Sequence, residues 1–304
     1  MKFLRNLAVA SAALFGATGL TAKGKEEIKD LRTHSLQVPY GFHPMYWDIG
    51  GDAVIDTQKK IRLTPDYPDR QGYAWSTQFL PDDTWKVEFE FRIHGKGSYL
   101  YGDGMAFFVA QERTTPGPVF GNRDYFKGFG LFFDTYANAK HTYNFPHIMG
   151  MQGDGKTPYM ANSDGDPNSV GGCSPMYRGT AEPVKASVVY LKGKYLQVRY
   201  QLHGEKWEDC FTVNNATLPE KLYLGFTAHT GEISDNHDLI SVKTQTMDAS
   251  TAANLQHQDN TPLLSKQNAW AALGWWFKLV LVGAVCGVAF MGYRAYTAKQ
   301  NERF

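Results

Sequence analysis

Residues 86–93 read Lys-Val-Glu-Phe-Glu-Phe-Arg-Ile, an unbroken alternation of charged and apolar side chains. Successive side chains of a strand point to opposite faces, so this pattern predicts a strand with one buried face. Apolar runs bounded by turn residues predict further strands at 105–110, 128–133, 186–190, 195–202, 223–227 and 239–244. Lys192-Gly193-Lys194 separates two of these runs and predicts a hairpin turn.

No helical pattern persists between residues 36 and 247. Roughly ten or more strands in one all-β segment predict a β-sandwich or jelly roll that buries a single continuous core. Residues 150–172 are rich in glycine and proline, so we expect a long loop there. Long loops in compact domains are often functional.

The N-terminal segment has the pattern of a cleavable secretory signal. Lys2 and Arg5 precede an apolar stretch at residues 7–15, which small residues follow. We predict a signal peptide over residues 1–22. An uncleaved N-terminal anchor is the alternative, although the apolar stretch is shorter than the ~20 residues that a membrane span needs.

A second apolar segment lies near the C-terminus. It is interrupted by Lys278 and flanked by tryptophan and tyrosine, which favours a transmembrane helix over residues 271–293 with the lysine reaching toward the headgroups. A buried core helix is the alternative. Basic residues exceed acidic ones in 294–304, so the positive-inside rule predicts a cytosolic tail and a lumenal body, as in a type I membrane protein. The polar residues 248–270 are predicted to form a stalk.

Charge and cysteine content narrow the class of protein. Lysine plus arginine total 31 and aspartate plus glutamate total 30, so no basic field indicates nucleic acid binding.

Cys173 and Cys210 lie in the presumed lumenal body, where oxidising conditions favour a disulfide between them. Cys286 lies in the apolar span and is expected to act as a small apolar packing residue. Asn215 begins an Asn-Ala-Thr glycosylation sequon.

A small set of oxygen-bearing residues indicates a metal site. Asp134 and Asp164 offer two carboxylates, Asn138 offers an amide oxygen, and Tyr136 can add its main-chain carbonyl. These are the hard oxygen ligands that Ca²⁺ prefers. Because aspartate and asparagine also favour turns, an ordinary loop is the alternative.

Two other acidic patterns could take part in binding or catalysis. Asp103 lies between two glycines just before an apolar strand, which indicates a close backbone approach, with an acidic turn as the alternative. Glu88 and Glu90 could form the carboxylate pair of a glycosidase. Their neighbours Lys86 and Arg92 continue the same polar face, so a solvated strand surface is favoured. The sequence contains no clear catalytic triad, zinc or phosphate-binding motif, and we predict no enzyme activity.

Several longer stretches resemble the L-type lectins of the early secretory pathway, most closely their vesicular integral-membrane branch. The matching stretches are residues 62–66, 102–106, 116–121, 133–136 and 230–238. The resemblance extends over residues 36–247, and the span and short tail match in layout. It implies a legume-lectin jelly roll that uses Ca²⁺ to bind high-mannose N-glycans on cargo glycoproteins, and that moves or retains them between endoplasmic reticulum and Golgi.

The resemblance also implies roles for individual residues. Mannose would be bound around Asp103, Asn138, Gly231, Glu232, Ile233 and Asp69. Calcium would be held by Asp134, the Tyr136 carbonyl, Asn138 and Asp164. Cys173 and Cys210 fall at the family's disulfide. The terminal Phe304 resembles the family's export signal for vesicle coat proteins.

Three positions depart from the family pattern. Ala161 stands where a sugar-contacting histidine is usual, Asp69 where a serine is usual, and Glu232 where an aspartate is common. An alternative function therefore stays open. In that alternative the same fold is a cargo adaptor that recognises protein surfaces or partner lectins, with little or no sugar binding.

Overall fold

The computed structural model describes residues 28–41 and 44–248, together with the helical residues 286–287, 290–292 and 294. Fifteen strands form two antiparallel sheets in the described part of the chain. Short 3₁₀ helices lie at Arg32–His34, Ala161–Ser163 and Asp166–Asn168. The predicted all-β sandwich is confirmed.

One sheet, called the back sheet, has the order β13-β12-β11-β6-β15-β4-β3, and β1 pairs with the far end of β15. Its strands are β1 (Ile28–Asp30), β3 (Val54–Asp56), β4 (Lys60–Thr64), β6 (Thr84–His94), β11 (Val184–Leu191), β12 (Tyr195–Gln201), β13 (Glu208–Asn214) and β15 (Asn236–Met247).

The other sheet, called the front sheet, has the order β10-β9-β8-β7-β14-β5-β2. Its strands are β2 (Trp47–Gly51), β5 (Arg70–Phe79), β7 (Gly104–Ala110), β8 (Lys127–Asp134), β9 (His147–Asp154), β10 (Ser169–Cys173) and β14 (Tyr223–Thr230). All seven predicted strands and the hairpin turn at 192–194 are present, although several strands are longer than predicted.

The core between the sheets contains a group of aromatic rings packed on one another. Phe89 and Phe91 of β6 are at most 1% exposed, as the alternation predicted. Phe89 stacks on Phe107 at a centroid distance of 5.5 Å, and Phe91 meets Phe133 at 4.6 Å, so β6 packs directly on β7 and β8. A second cluster that includes Phe132 covers the outer face of the front sheet, which explains why β7 and β8 read as uninterrupted apolar runs.

The prediction of a loop over residues 150–172 was wrong at both ends. Its first residues continue β9 and its last belong to β10, which leaves a loop at 155–168. A Cβ on Gly150 would lie 2.5 Å from Cζ of Phe211, and one on Gly153 would lie 2.3 Å from the Phe126 carbonyl oxygen. These glycines therefore mark close packing inside a strand rather than a loop.

The predicted disulfide is present. Cys173 of β10 and Cys210 of β13 are bonded, with Cα atoms 5.3 Å apart. The bond joins the edge strand of the front sheet to the edge strand of the back sheet. It therefore fastens the two layers together at one side of the sandwich.

The direction of β15 shows at which end of the sandwich the chain leaves it. β15 begins at Asn236, which pairs with His94 just before the loop to Asp103, and ends at Met247, which pairs with Ile28. At ~3.3 Å per residue the 12 residues of β15 span about 40 Å. The chain therefore leaves the sandwich at the end opposite Asp103.

Several sequence predictions fall outside the described residues. These are the signal peptide at 1–22, the stalk from residue 249 onward, most of the span at 271–293, and the tail with Phe304. Within the described residues, no helix has the length and hydrophobicity that a membrane crossing requires.

Candidate functional site

Asp103 is held on a fixed backbone at one end of the front sheet. Its N–H donates to the His229 carbonyl at 3.3 Å, and its carbonyl accepts from both N–H and Oγ1 of Thr135 at 2.9 Å. The next residue, Gly104, has φ +157°, and a Cβ there would lie 2.2 Å from the Phe133 carbonyl oxygen. Only glycine fits this position, which confirms the close backbone approach expected from the sequence.

The Asp103 carboxylate faces the turn that follows β14. Its Oδ2 lies 3.0 Å from Nδ1 of His229, and 34% of the side chain is exposed. A Cβ on Gly231 would lie 3.3 Å from the same Oδ2. The Gly231 carbonyl in turn accepts the N–H of Asp69 at 3.0 Å. We call the surface formed by Asp69, Asp103 and Gly231 the rim.

A second group of residues, called the oxygen cluster, consists of Asp134, Tyr136, Asn138 and Asp164. Asp134 ends β8 and Asp164 follows the 3₁₀ helix Ala161–Ser163, and both side chains are buried. Asp134 Oδ1 accepts the Tyr136 N–H at 3.0 Å. Asp164 accepts the N–H and the Nδ2 of Asn138, at 3.0 Å and 2.6 Å. The four residues predicted as calcium ligands are therefore brought together.

The rim and the oxygen cluster are neighbours. A Cβ on Gly102 would lie 3.0 Å from Cβ of Tyr136 and 3.3 Å from Cδ1 of Ile233. The loop before Asp103 therefore lies between the oxygen cluster and the turn that contains Gly231. Ile233 is half-buried at this contact, whereas Glu232 is exposed.

The electrostatics of the oxygen cluster favour a bound cation. Burial raises the pKa of Asp134 well above its ordinary value, and the nearby charges of Asp164 and Asp103 raise it further. The hydrogen bond from the Tyr136 N–H opposes this shift without outweighing it. A divalent cation between the carboxylates would remove both the repulsion and the cost of burial.

The chemistry of the donors selects among metals. Among the described residues, no three histidine, cysteine, aspartate or glutamate side chains converge to hold a metal by themselves. The oxygen cluster instead offers two carboxylates, one amide and one main-chain carbonyl. This all-oxygen set fits Ca²⁺ better than zinc or copper.

His141 belongs to this region and was not anticipated from the sequence. Its Nε2 lies 2.6 Å from Asp164 and its Nδ1 lies 2.8 Å from Asp166. Burial lowers the pKa of His141, but the hydrogen bonds to the two carboxylates outweigh burial, so the pKa is raised. The ring also stacks on Tyr143, which stacks on His147. The alternating aromatic residues 141, 143, 145 and 147 were the available sequence signal.

The three departures from the family pattern are all accessible. Ala161 is exposed at the start of its 3₁₀ helix and has no side-chain hydrogen-bonding group. Asp69 has φ +54°, a left-handed conformation that aspartate tolerates better than most residues. Glu232 is exposed beside the rim. Asn215 is also exposed, directly after β13 and at the end of the sandwich away from the rim.

Glu88 and Glu90 lie far from these residues in the fold. They point outward from the back sheet, and each pairs with a lysine: Glu88 with Lys86 at 2.6 Å and Glu90 with Lys185 at 3.0 Å. The geometry agrees with a polar strand surface.

Comparison with known proteins places this chain in a family. The family model described as legume-like lectin matches residues 27–254. An L-type lectin-like domain-containing protein of Schizosaccharomyces pombe is 36% identical over 244 residues, which cover 79% of this chain and 78% of that protein. The human VIP36-like protein is 39% identical over 223 residues, covering 70% of this chain and 63% of that protein. The chain thus spans less than two thirds of that human relative.

Solved structures agree. The Ca²⁺-bound lumenal domain of VIP36 matches with a TM-score of 0.69 and 35% identity, covering 72% of this chain and 93% of that one. The Ca²⁺- and Man2-bound form of the same domain matches with a TM-score of 0.68 and 35% identity, covering 71% and 89%. The fold defines a β-sandwich of the lectin class. The chain belongs to the legume-like, or L-type, lectin family.

Proposed function

We propose that this chain is a calcium-dependent lectin that binds high-mannose N-glycans of glycoproteins. The observation that supports this most is the pair of buried carboxylates, Asp134 and Asp164, which lie in one cluster with Asn138 and beside the half-exposed Asp103. Burial makes the charged form of Asp134 costly, so this cluster is suited to calcium. VIP36, a family member, has been solved with Ca²⁺ and with Man2.

The rim supplies the hydrogen bonds to sugar. The Asp103 carboxylate accepts hydroxyl protons, main-chain groups of residues 231–233 contact the ring on the other side, and the Asn138 amide adds a further hydrogen bond. Glu232 and Asp69 add carboxylates at the edge. When bound, Ca²⁺ supplies positive charge that fixes the 134–138 segment in place.

The substitution at Ala161 weakens binding without removing it. One hydrogen bond to a sugar hydroxyl contributes about 0.5–1.5 kcal/mol, which corresponds to at most about a tenfold change in affinity.

The placement of the chain ends suits a membrane-tethered receptor. We infer a signal peptide at residues 1–22, a lumenal lectin domain at 33–247, a stalk at 248–270, a transmembrane helix at 271–293 and a cytosolic tail at 294–304. Because β15 leaves the sandwich about 40 Å from the rim, the rim would face away from the membrane and toward lumenal glycoproteins. VIP36 is named a vesicular integral-membrane protein.

The cellular role follows from that arrangement. The chain would carry or retain glycoproteins between endoplasmic reticulum and Golgi as a single-pass type I protein, with Phe304 engaging vesicle coat proteins. A second candidate is a cargo adaptor of the same fold that recognises protein surfaces. Ala161 and Asp69 favour it, because each replaces a residue that contacts sugar in the family.

A glycan panel tests the proposal. The full-length chain, in a detergent without a sugar head group, is applied to immobilised high-mannose, complex and non-mannose glycans, with calcium and then with chelator. The proposal predicts signal on high-mannose glycans that chelator removes. Absence of signal in calcium, from protein with a cooperative thermal transition, would instead favour the adaptor.

A further inference from the structure

A pocket with no role in the site described above opens beside the rim. It lies between the loop that follows β4, the end of β6 and the start of β15. Tyr67 and Asp66 line one wall, and His94 and Lys96 line the other. The Asp69 N–H bonds the Gly231 carbonyl, so the segment that follows Tyr67 connects the pocket to the rim.

Tyr67 presents an aromatic face on a fixed backbone. The side chain is 62% exposed, whereas the main chain is held at both ends: its N–H donates to the Pro65 carbonyl at 2.8 Å, and its carbonyl accepts from Oγ1 of Thr230 at 2.7 Å. Two residues later, Asp69 is bonded to Gly231. Two residues reach at most about 7 Å, so the Tyr67 main chain lies near the rim. An exposed ring on a rigid support loses little entropy when a ligand packs on it.

Asp66 connects the two walls of the pocket to the segment that follows Gly231. The Asp66 carboxylate accepts from Oγ of Ser234 at 2.7 Å and from the N–H of Lys96 at 2.9 Å. The Asp66 N–H donates to Oδ1 of Asn236 at 3.0 Å. Hydrogen bonds therefore join three loops around the pocket. The pocket exists without any movement of these loops.

Three basic side chains beneath the pocket share one acidic partner. Lys60, Arg62 and His94 all bond the buried carboxylate of Asp238, at 2.6, 2.7 and 3.0 Å. The lining adds the Asp66 carboxylate and Lys96, so the pocket offers both hydrogen-bond donors and acceptors. A sugar, whose hydroxyls both donate and accept, fits that mixture.

We propose that this pocket binds a further sugar unit of the same mannose-rich glycan whose terminal mannose lies at the rim, with the Tyr67 ring packed against that unit. The inference rests on the proposed function, because it assigns a second contact to the same ligand. It makes Tyr67 a specificity-determining residue that distinguishes an oligosaccharide from free mannose.

Calorimetric titration of the full-length chain in calcium, with free mannose and with a branched mannose oligosaccharide, tests this. Tyr67→Ala should weaken oligosaccharide binding by about threefold to tenfold and leave mannose binding unchanged. Tyr67→Phe keeps the ring and should match the wild type. Tyr46→Ala removes a tyrosine that is also exposed but lies at the opposite end of the sandwich, and it is the matched control.

Two results would overturn the inference while leaving the proposed function intact. In one, Tyr67→Ala binds both ligands as the wild type does. In the other, it weakens both ligands in equal proportion, which would indicate a general structural effect on the rim. A wild-type chain that binds neither ligand in calcium would refute the proposed function itself, and the pocket's role with it.

Discussion

Nε2 of His141 lies 2.6 Å from Oδ2 of Asp164, so a histidine already occupies an oxygen of a proposed calcium ligand. The other ring nitrogen faces Asp166, and a ring that donates to two carboxylates is the protonated, cationic form. His141 therefore acts as an internal positive charge that compensates Asp164. It competes with a metal for the same oxygen.

Replacing this histidine should strengthen calcium binding. In His141→Ala, Asp164 loses a charge-assisted hydrogen bond and its carboxylate oxygen becomes available, so we expect calcium affinity to rise by about tenfold. Calcium titration by calorimetry measures this, with His203→Ala, an exposed histidine between β12 and β13, as control. Weaker calcium binding in His141→Ala would mean that the histidine positions Asp164 instead.

The charge of Asp134 should stabilise the folded protein only when calcium is bound. Asp134→Asn removes a buried carboxylate whose pKa burial raises, so in chelator the variant should melt at or above the wild-type temperature. Calcium at about 100 times its Kd should stabilise the wild type by about 2.7 kcal/mol, or about 5–10 °C, and should not stabilise the variant. Equal calcium shifts in both proteins would exclude Asp134 as a ligand.

Arg178 should support sugar binding without touching sugar. It pairs with buried Asp235 at 2.7 Å, donates to the Gly97 carbonyl at 2.8 Å, and lies 3.5 Å over the Tyr101 ring, so it fixes the loop that ends at Asp103. Lysine can neither form the bidentate pair nor stack in the same way. Arg178→Lys should weaken mannose binding about tenfold and leave the calcium-induced rise in Tm unchanged. A loss of the calcium effect would show that the loop also shapes the metal site.

His237 should make stability depend on pH. It is fully buried beside Thr64, its Nε2 has no partner among the described residues, and burial lowers its pKa to about 3. Because the folded pKa lies below the ordinary 6.5, its contribution is complete above pH 6.5 and is lost as pH falls toward 3. Between pH 8 and pH 5 the free energy of unfolding should fall by about 2 kcal/mol more in the wild type than in His237→Asn. Parallel pH profiles would contradict this.

The fold was predictable where one strand face is buried and the other solvated. The alternation in β6 located that strand, and the apolar runs located β7 and β8 because both of their faces are covered. β5 was missed because it contains Gly72, where a Cβ would lie 1.9 Å from the Leu63 carbonyl oxygen. Glycine in a strand is indistinguishable from a turn signal until its neighbours from distant sequence are known.

The oxygen cluster was predictable in composition but not in its surroundings. Asp134 and Asn138 are close in sequence, and Asp164 was added as a second carboxylate on the residues alone, with the family resemblance supporting the set. The contact between His141 and Asp164 depends on how the 155–168 loop folds back over β9, a long-range arrangement that no local pattern encodes. The same holds for the Tyr67 pocket, which three separate loops build.

We propose that sugar binding depends on calcium held by Asp134, Asn138 and Asp164. Calorimetric titration of the full-length chain with a mannose oligosaccharide, in calcium and in chelator, and again for Asp164→Asn, is the first measurement to make. We expect the wild type to bind in calcium only and Asp164→Asn to bind in neither condition. Equal binding with and without calcium, or wild-type binding by Asp164→Asn, would contradict it.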